Sequence, residues 1–385
     1  MIERRCGHVA VCNTLALECA GIDPSTSNGI VYEDELQMVR KALPPVSTEE
    51  KKKRIKYGIK HALEYGITSV SSNDSKGGDL DEYVGIFNNL YQEENCKIRV
   101  TMQCKIDNEK HLDEHIERGL QTNHEFISGF LKFGPIKMFS DGSLGARTAL
   151  LRGPYADDSS TQGIGIFPPE ELELYVQKAV KNNFSVAIHA IGDGAMDVVI
   201  SAYEKALNKN GNPLRLGILH CQITDTSLLE RMAESNIFAL IQPAFLGSDQ
   251  NIIESRVGKE LASTSYAWGT MEKMNIKTAY GTDCPIEDIN PILGIYAAVT
   301  RFGNSPVECV DVATAVDAYT YGSAYANFDE DRVGRIEKGK LADFVLLDED
   351  IFSIPKEQIK DVKVTWTMLD GEIQEGIKEV FTDFI

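Results

Sequence analysis

Seven short apolar or β-branched runs recur along the chain and constrain it more than any other feature. They occupy residues 67–72 (ITSVSS), 98–103 (IRVTMQ), 134–139 (GPIKMF), 184–189 (FSVAIH), 214–220 (LRLGILH), 237–242 (IFALIQ) and 277–282 (KTAYGT). Continuous rather than alternating apolar character suits strands buried on both faces, as in a parallel sheet covered by helices. The intervening segments carry helical spacing. Residues 48–65 place Ile55, Ile59 and Leu63 on one face. Residues 169–182 open with Pro-Glu-Glu, carry Leu172, Val176 and Val180, and close on lysines, which matches the helix dipole at both ends. Residues 225–235 and 311–325 complete the set. Repeated β–α alternation predicts an α/β fold.

Polar chemistry gathers where these runs end. Lys137 lies near the end of its run, His189 and His220 end theirs, and Asp283 follows the last. In a (β/α)8 barrel the C-terminal strand ends build the active site, so four such residues on four runs would converge on one axis. Seven runs, however, are one short of an eight-stranded closure. The expected architecture is a TIM-barrel-like unit over residues 1–330, lacking its first strand. Residues 331–385 follow as a partial β-sandwich, since 332–347 and 362–373 read as short strands with glycine-bearing turns. Residues 153–165 and 247–265 read as polar connections that could cover a site.

Composition narrows the function classes. Thirty-nine basic against fifty-eight acidic residues leave a formal charge of −19. A nucleic-acid or anionic-membrane surface needs a positive field, so neither partner is expected. Eight scattered cysteines without a CxxC pair read as reduced thiols in a cytoplasmic protein. No run of eighteen apolar residues is present, and the first residues have no signal-peptide core. The balance leaves room for a homodimer.

The strand-end residues suit a catalytic metal, which takes nitrogen and oxygen ligands and keeps one position open for water. Taken singly, a strand-end histidine is more often a hydrogen-bonded structural residue; the joint arrangement is what argues for a site. His189 precedes Ala-Ile-Gly-Asp-Gly, a turn that would let the backbone bend sharply. Asp283 stands in Gly-Thr-Asp-Cys-Pro, where Pro285 ends the strand. Lys137 admits two readings. It is a snorkelling or salt-bridged lysine, with Asp141 as partner, or a lysine neutralised by burial and carbamylated by carbon dioxide.

Five segments carry a resemblance: 136–151 (IKMFSDGSLGARTALL), 187–197 (AIHAIGDGAMD), 215–223 (RLGILHCQI), 281–291 (GTDCPIEDINP) and 334–350 (GRIEKGKLADFVLLDED). In order and spacing they resemble the amidohydrolase superfamily, and within it the amidohydrolase 3 branch of YtcJ-like and N-substituted formamide deformylase-like proteins. The resemblance covers nearly the whole chain. It implies a barrel with a composite β-sandwich, and hydrolysis of an amide or formamide by metal-activated water. It implies Lys137 as a bridging carbamate, His189 and His220 as ligands of a divalent metal, zinc by ligand type, and Asp283 as ligand and general base. Asp141, Arg147 and His8 are substrate-side candidates, each equally readable as a loop-structuring residue.

The chain departs from the family at one point. Members carry a His-x-His pair at the end of the first barrel strand. The seven histidines here (His8, His61, His111, His115, His124, His189 and His220) form no such pair. His111 and His115 sit on a charged, helix-like segment expected at the surface. The opening RRCGHVAVCNTLAL matches the interior of family members, so the chain is expected to lack an N-terminal portion. Three readings stay open: a metal-dependent C–N hydrolase; a catalytically impaired barrel homologue; and, ranked last for want of a glycine-rich phosphate loop, a phosphate-binding barrel.

Overall fold

The computed structural model describes residues 1–3, 9–76, 78–207 and 211–374. Three short strands open the chain: β1 (Ile2–Glu3), β2 (Val9–Val11) and β3 (Ile30–Tyr32), an antiparallel sheet in sequence order. With the helices Thr14–Cys19 and Glu33–Ala42 it encloses a small core of its own, built on Leu17, Val31, Leu36 and Val39. These strands are two or three residues long and largely exposed, too short to give a readable pattern.

All seven predicted runs are strands. They are β4 (Ser69–Lys76), β5 (Arg99–Lys105), β7 (Leu131–Phe139), β8 (Val186–Ala190), β9 (Gly217–His220), β10 (Phe238–Ile241) and β11 (Thr278–Tyr280). They pair in parallel in the order β11-β10-β9-β8-β7-β5-β4, a curled half-barrel. A short antiparallel strand absent from the prediction, β6 (Glu125–Ile127), pairs with β7.

The helices follow the sequence signals. Thr48–Glu64 starts where the Ser47 side chain accepts the Glu50 N–H. Thr226–Glu234 starts where Asp225 accepts from Leu228 N at 2.9 Å. Such caps satisfy N–H groups that have no intrahelical partner. Pro169–Lys181 runs from Glu170 and Glu171 to Lys178 and Lys181 and buries Leu172, Val176 and Ala179. The 311–325 segment is less regular: Val312–Asp317, a π turn over Ala318–Gly322, then Ser323–Ala326.

One core fills the space between sheet and helices, with Phe133, Ile136, Val186, Ile188, Ile218 and Ala239 fully buried. Strands buried on both faces explain the continuous apolar runs. The tail forms an antiparallel sheet of β12 (Phe344–Leu347), β13 (Val364–Leu369) and β14 (Glu372–Ile373). It is tied to the half-barrel by Arg99 on β5, whose guanidinium donates to both Asp343 carboxylate oxygens at 2.9 and 3.0 Å. Among the described residues no helix is long and apolar enough to cross a membrane.

Two sequence expectations need correction. His115 is not at the surface: it is 2% exposed on the helix Glu109–Glu117, its ring edge-on to Phe133 at 5.3 Å. The segment is charged but amphipathic, and His115 falls in phase with the buried Leu112. The connection 247–265 is not a polar loop, since it runs through the helices Phe245–Asp249 and Ile253–Ser263. Ile253, Val257 and Leu261 of the second helix pack with Leu151 and Tyr155 of the 144–155 region in a separate apolar cluster.

Candidate functional site

The register of the parallel strands fixes which side chains share a face. Lys137 is level with Ala187, and Phe139 with His189. Ala187 is level with Gly217, and His189 with Leu219. Side chains alternate along a strand, and register partners point the same way. Lys137, Phe139, His189 and Leu219 therefore occupy one face. Ile136, Val186, Ile188 and Ile218 occupy the other, packed into the core.

His220 is out of phase. It follows Leu219 and is level with Ala190, on the helix-packed face. Its backbone has φ +81°, and Cys221 after it has φ +49°. Such values are uncommon for residues with a side chain and cluster at functional sites. This turn of the chain puts the His220 ring edge-on to that of His189, with centroids 4.4 Å apart. The Phe245 ring lies tilted against that of His220, with centroids 5.5 Å apart.

His189 is held by the loop after β7. Its Nε2 donates to the Gly142 carbonyl at 2.9 Å and lies 3.3 Å from Asp141 Oδ1. A neutral imidazole that donates through Nε2 keeps its lone pair on Nδ1. Ser140 donates to the His189 carbonyl through its backbone N–H at 3.0 Å and its hydroxyl at 2.6 Å. A ring fixed by a carbonyl on one nitrogen and left basic on the other is the usual state of a metal-ligating histidine.

Asp141 is fully buried. Its carboxylate accepts the N–H groups of Ile191 at 3.1 Å, Gly192 at 2.9 Å and Leu150 at 2.9 Å. It thus pins the loop after β7 to the chain after β8. Gly192 belongs to the same junction. A Cβ there would stand 1.9 Å from the Leu150 carbonyl oxygen, so close backbone approach, not a left-handed bend, demands glycine. Arg147 makes a two-pronged contact with Asp157 at 3.0 Å through both Nε and Nη2. His8 lies outside the described residues.

Lys137 is 5% exposed, with its Nζ 4.4 Å above the Phe139 ring centroid. Burial brings its pKa down to about 7, with Asp283 pulling it back up and Lys105 adding a like charge. Asp283 has φ +54° just beyond β11. The residue as a whole is exposed, yet burial of its carboxyl group raises that group's pKa, opposed by Lys137 and then His189. The carboxylate acting on Lys137 is thus Asp283; Asp141 is engaged by backbone amides.

The fit to a metal is conditional. Among the described residues no three His, Cys, Asp or Glu side chains stand close enough to hold an ion as they are. An ammonium is no ligand, but a carbamate on Lys137 would add oxygen donors beside His189, His220 and Asp283. A cleft of about 430 Å³ lined by Tyr321, Glu330, Arg335 and Lys340 includes none of these residues.

Sequence reasoning passed over Gln242, the residue after β10, which is buried at 7% exposure. A run ending in a glutamine rather than an apolar residue was the available signal.

Known proteins resemble this chain along most of its length. The Bacillus subtilis protein YtcJ is 34% identical over 401 residues, spanning 97% of this chain and 73% of YtcJ. The N-substituted formamide deformylase of Arthrobacter pascens is 24% identical over 218 residues, 55% of this chain and 40% of the deformylase. A metal-dependent hydrolase from Pyrococcus horikoshii OT3 superposes with a TM-score of 0.78 at 32% identity, covering 92% of this chain and 72% of that one. These neighbours support a hydrolase with a divalent metal. The Amidohydrolase family matches residues 1–374, and the chain belongs to that family.

Proposed function

We propose that this chain hydrolyses a carbon–nitrogen bond of a small amide or N-substituted formamide, with Lys137, His189, His220 and Asp283 as its working residues. The observation that carries the reading is the meeting of His189 and His220 at adjacent strand ends, with Lys137 and Asp283 acting electrostatically on each other and on that site. A divalent metal bound there, zinc by ligand type, would supply Lewis acidity toward a carbonyl and a water. His189 and His220 would hold it through nitrogen, and Asp283 and a carbamate on Lys137 would hold it through oxygen. The chemistry of this chain's own groups follows from their environments. Near neutral pH a substantial share of Lys137 is unprotonated, and its lone pair can add to carbon dioxide. Asp283, exposed and in electrostatic interaction with Lys137, accepts a proton from water and passes it to the leaving nitrogen. Asp141 and Gly142 hold the His189 ring. Of the substrate-side candidates, Asp141 is engaged by backbone amides and Arg147 by Asp157, while His8 lies outside the described residues. Seven unbridged cysteines among the described residues suit a reducing, cytoplasmic setting.

The test is metal content and turnover of an N-substituted formamide after loading with zinc and ¹³C-bicarbonate. A carbamate resonance on Lys137, stoichiometric metal and formate release are expected together. A second reading, a catalytically impaired homologue, has one observation in its favour: no three His, Cys, Asp or Glu donors are assembled among the described residues. Absence of the carbamate signal, metal and formate in a folded chain would establish it.

A further inference from the structure

Gln242 follows β10, the strand between those that carry His220 and lead to Asp283. Phe238 of β10 is level with Gly217 and Leu240 with Leu219. Leu219 is level with His189, and Phe139 with His189 in turn. Position 242, two residues beyond Leu240, continues the face that holds Lys137 and His189, one pleat further toward the C-terminal strand ends. The ladder extends this far, because Gly281 N donates to the Ile241 carbonyl at 2.9 Å. The Gln242 turn is linked to the site through Phe245. Its carbonyl accepts the Phe245 N–H at 3.1 Å, and Phe245 lies against the His220 ring at 5.5 Å.

The side chain is buried and half satisfied. Nε2 donates to the Leu240 carbonyl at 3.0 Å. Oε1 is buried and accepts no hydrogen bond among the described residues. Turning the amide over would set its oxygen against the Leu240 carbonyl, so the oxygen is the free end. A buried carboxamide oxygen without a donor is costly and calls for an N–H or O–H partner.

We propose that Gln242 Oε1 accepts a hydrogen bond from the N–H of a substrate amide, so that the site selects amides bearing a hydrogen on nitrogen over N,N-disubstituted amides and esters. The inference rests on the amide reading above and adds a specificity-determining residue to it. A neutral acceptor suits this task. It discriminates through the nitrogen's hydrogen while placing no charge beside Lys137 or the histidines. Sites built to pair with a donor reject analogues lacking it, because the acceptor is then left buried and alone.

The test compares binding and turnover of a matched pair, an N-alkyl formamide and its N-methylated analogue, in wild type and in Gln242→Met and Gln242→Glu. Methionine keeps the length and removes the acceptor; glutamate keeps an acceptor. Wild type is expected to bind the N–H form about tenfold more tightly. Gln242→Met should abolish that ratio, chiefly through KM, and Gln242→Glu should keep part of it. An N–H to N–CH₃ ratio that is the same in wild type and Gln242→Met would overturn the proposal, leaving Gln242 a structural or water-binding residue. Binding and turnover separate the two claims. Discrimination in binding without hydrolysis removes the amidase reading and keeps the amide-N–H site; hydrolysis without discrimination removes the site alone; neither removes both.

Discussion

The rings of His189 and His220 meet at 4.4 Å although strand pairing sets the two residues on opposite faces of the sheet. The left-handed backbone at His220 reconciles these facts. Two strands can therefore bring imidazoles together at different heights without breaking the ladder. A strained residue kept at the end of a buried strand is more economically explained by its position than by packing.

Replacing Asp283 by Asn tests its role as proton acceptor. The change is nearly isosteric at an open position, so folding should survive. Loss of a general base typically costs about 10²-fold or more in rate. On a preparation that turns over formamide, kcat is expected to fall at least that far with the thermal midpoint little changed. Retained turnover would remove Asp283 from the mechanism.

Asp141→Asn should act through structure. An amide nitrogen would face at least one of the N–H groups of Leu150, Ile191 and Gly192 that the carboxylate now accepts. Leaving a buried donor unpaired costs about 1–3 kcal/mol. The expected result is a lower urea midpoint at unchanged slope, together with reduced activity as His189 loses its support. Unchanged stability with lost activity would instead give Asp141 a direct part in substrate binding.

Much of this was legible because burial writes itself into composition. Strands covered on both faces leave continuous apolar runs, and polar residues ending such runs stand out. Lys137, His189, His220 and Asp283 were legible for that reason. What was hidden depends on three dimensions. Nothing local reveals that His220 leaves the pleat, that Asp141 gathers one amide from its own loop and two from the chain after β8, or that Gly192 makes room for the Leu150 carbonyl. His115 was misread because charged neighbours masked a helical phase shared with Leu112. The first sheet escaped notice because its strands are too short to show a period.

Gly192→Ala is expected to destabilise severely. The new methyl would stand 1.9 Å from the Leu150 oxygen, and the two flanking segments are locked together by Asp141. Overpacking of this kind costs about 1–3 kcal/mol or more. Equilibrium unfolding measures it. As a comparison, Gly153→Ala, in open space beyond the same loop, should be nearly neutral.

His115 makes stability depend on pH away from the site. Among the described residues neither ring nitrogen has a hydrogen-bond partner. Burial lowers its pKa from 6.5 to about 4, with the Arg118 charge adding to the effect and Glu114 opposing it. A depressed histidine pKa means that the unfolded chain binds the extra proton first. Stability is therefore unaffected by this group above about pH 6.5, falls as pH drops through 6.5 towards 4, and levels off below 4. A shift of this size corresponds to a loss on the order of 3 kcal/mol at the acid end. His115→Phe keeps an aromatic ring against Phe133 and removes the titration. It should flatten this part of the pH–stability curve between pH 4 and 6.5 while leaving stability at pH 8 within about 1.5 kcal/mol of wild type. Unfolding midpoints measured across that range for both proteins decide it: parallel curves would show that the acid sensitivity arises elsewhere.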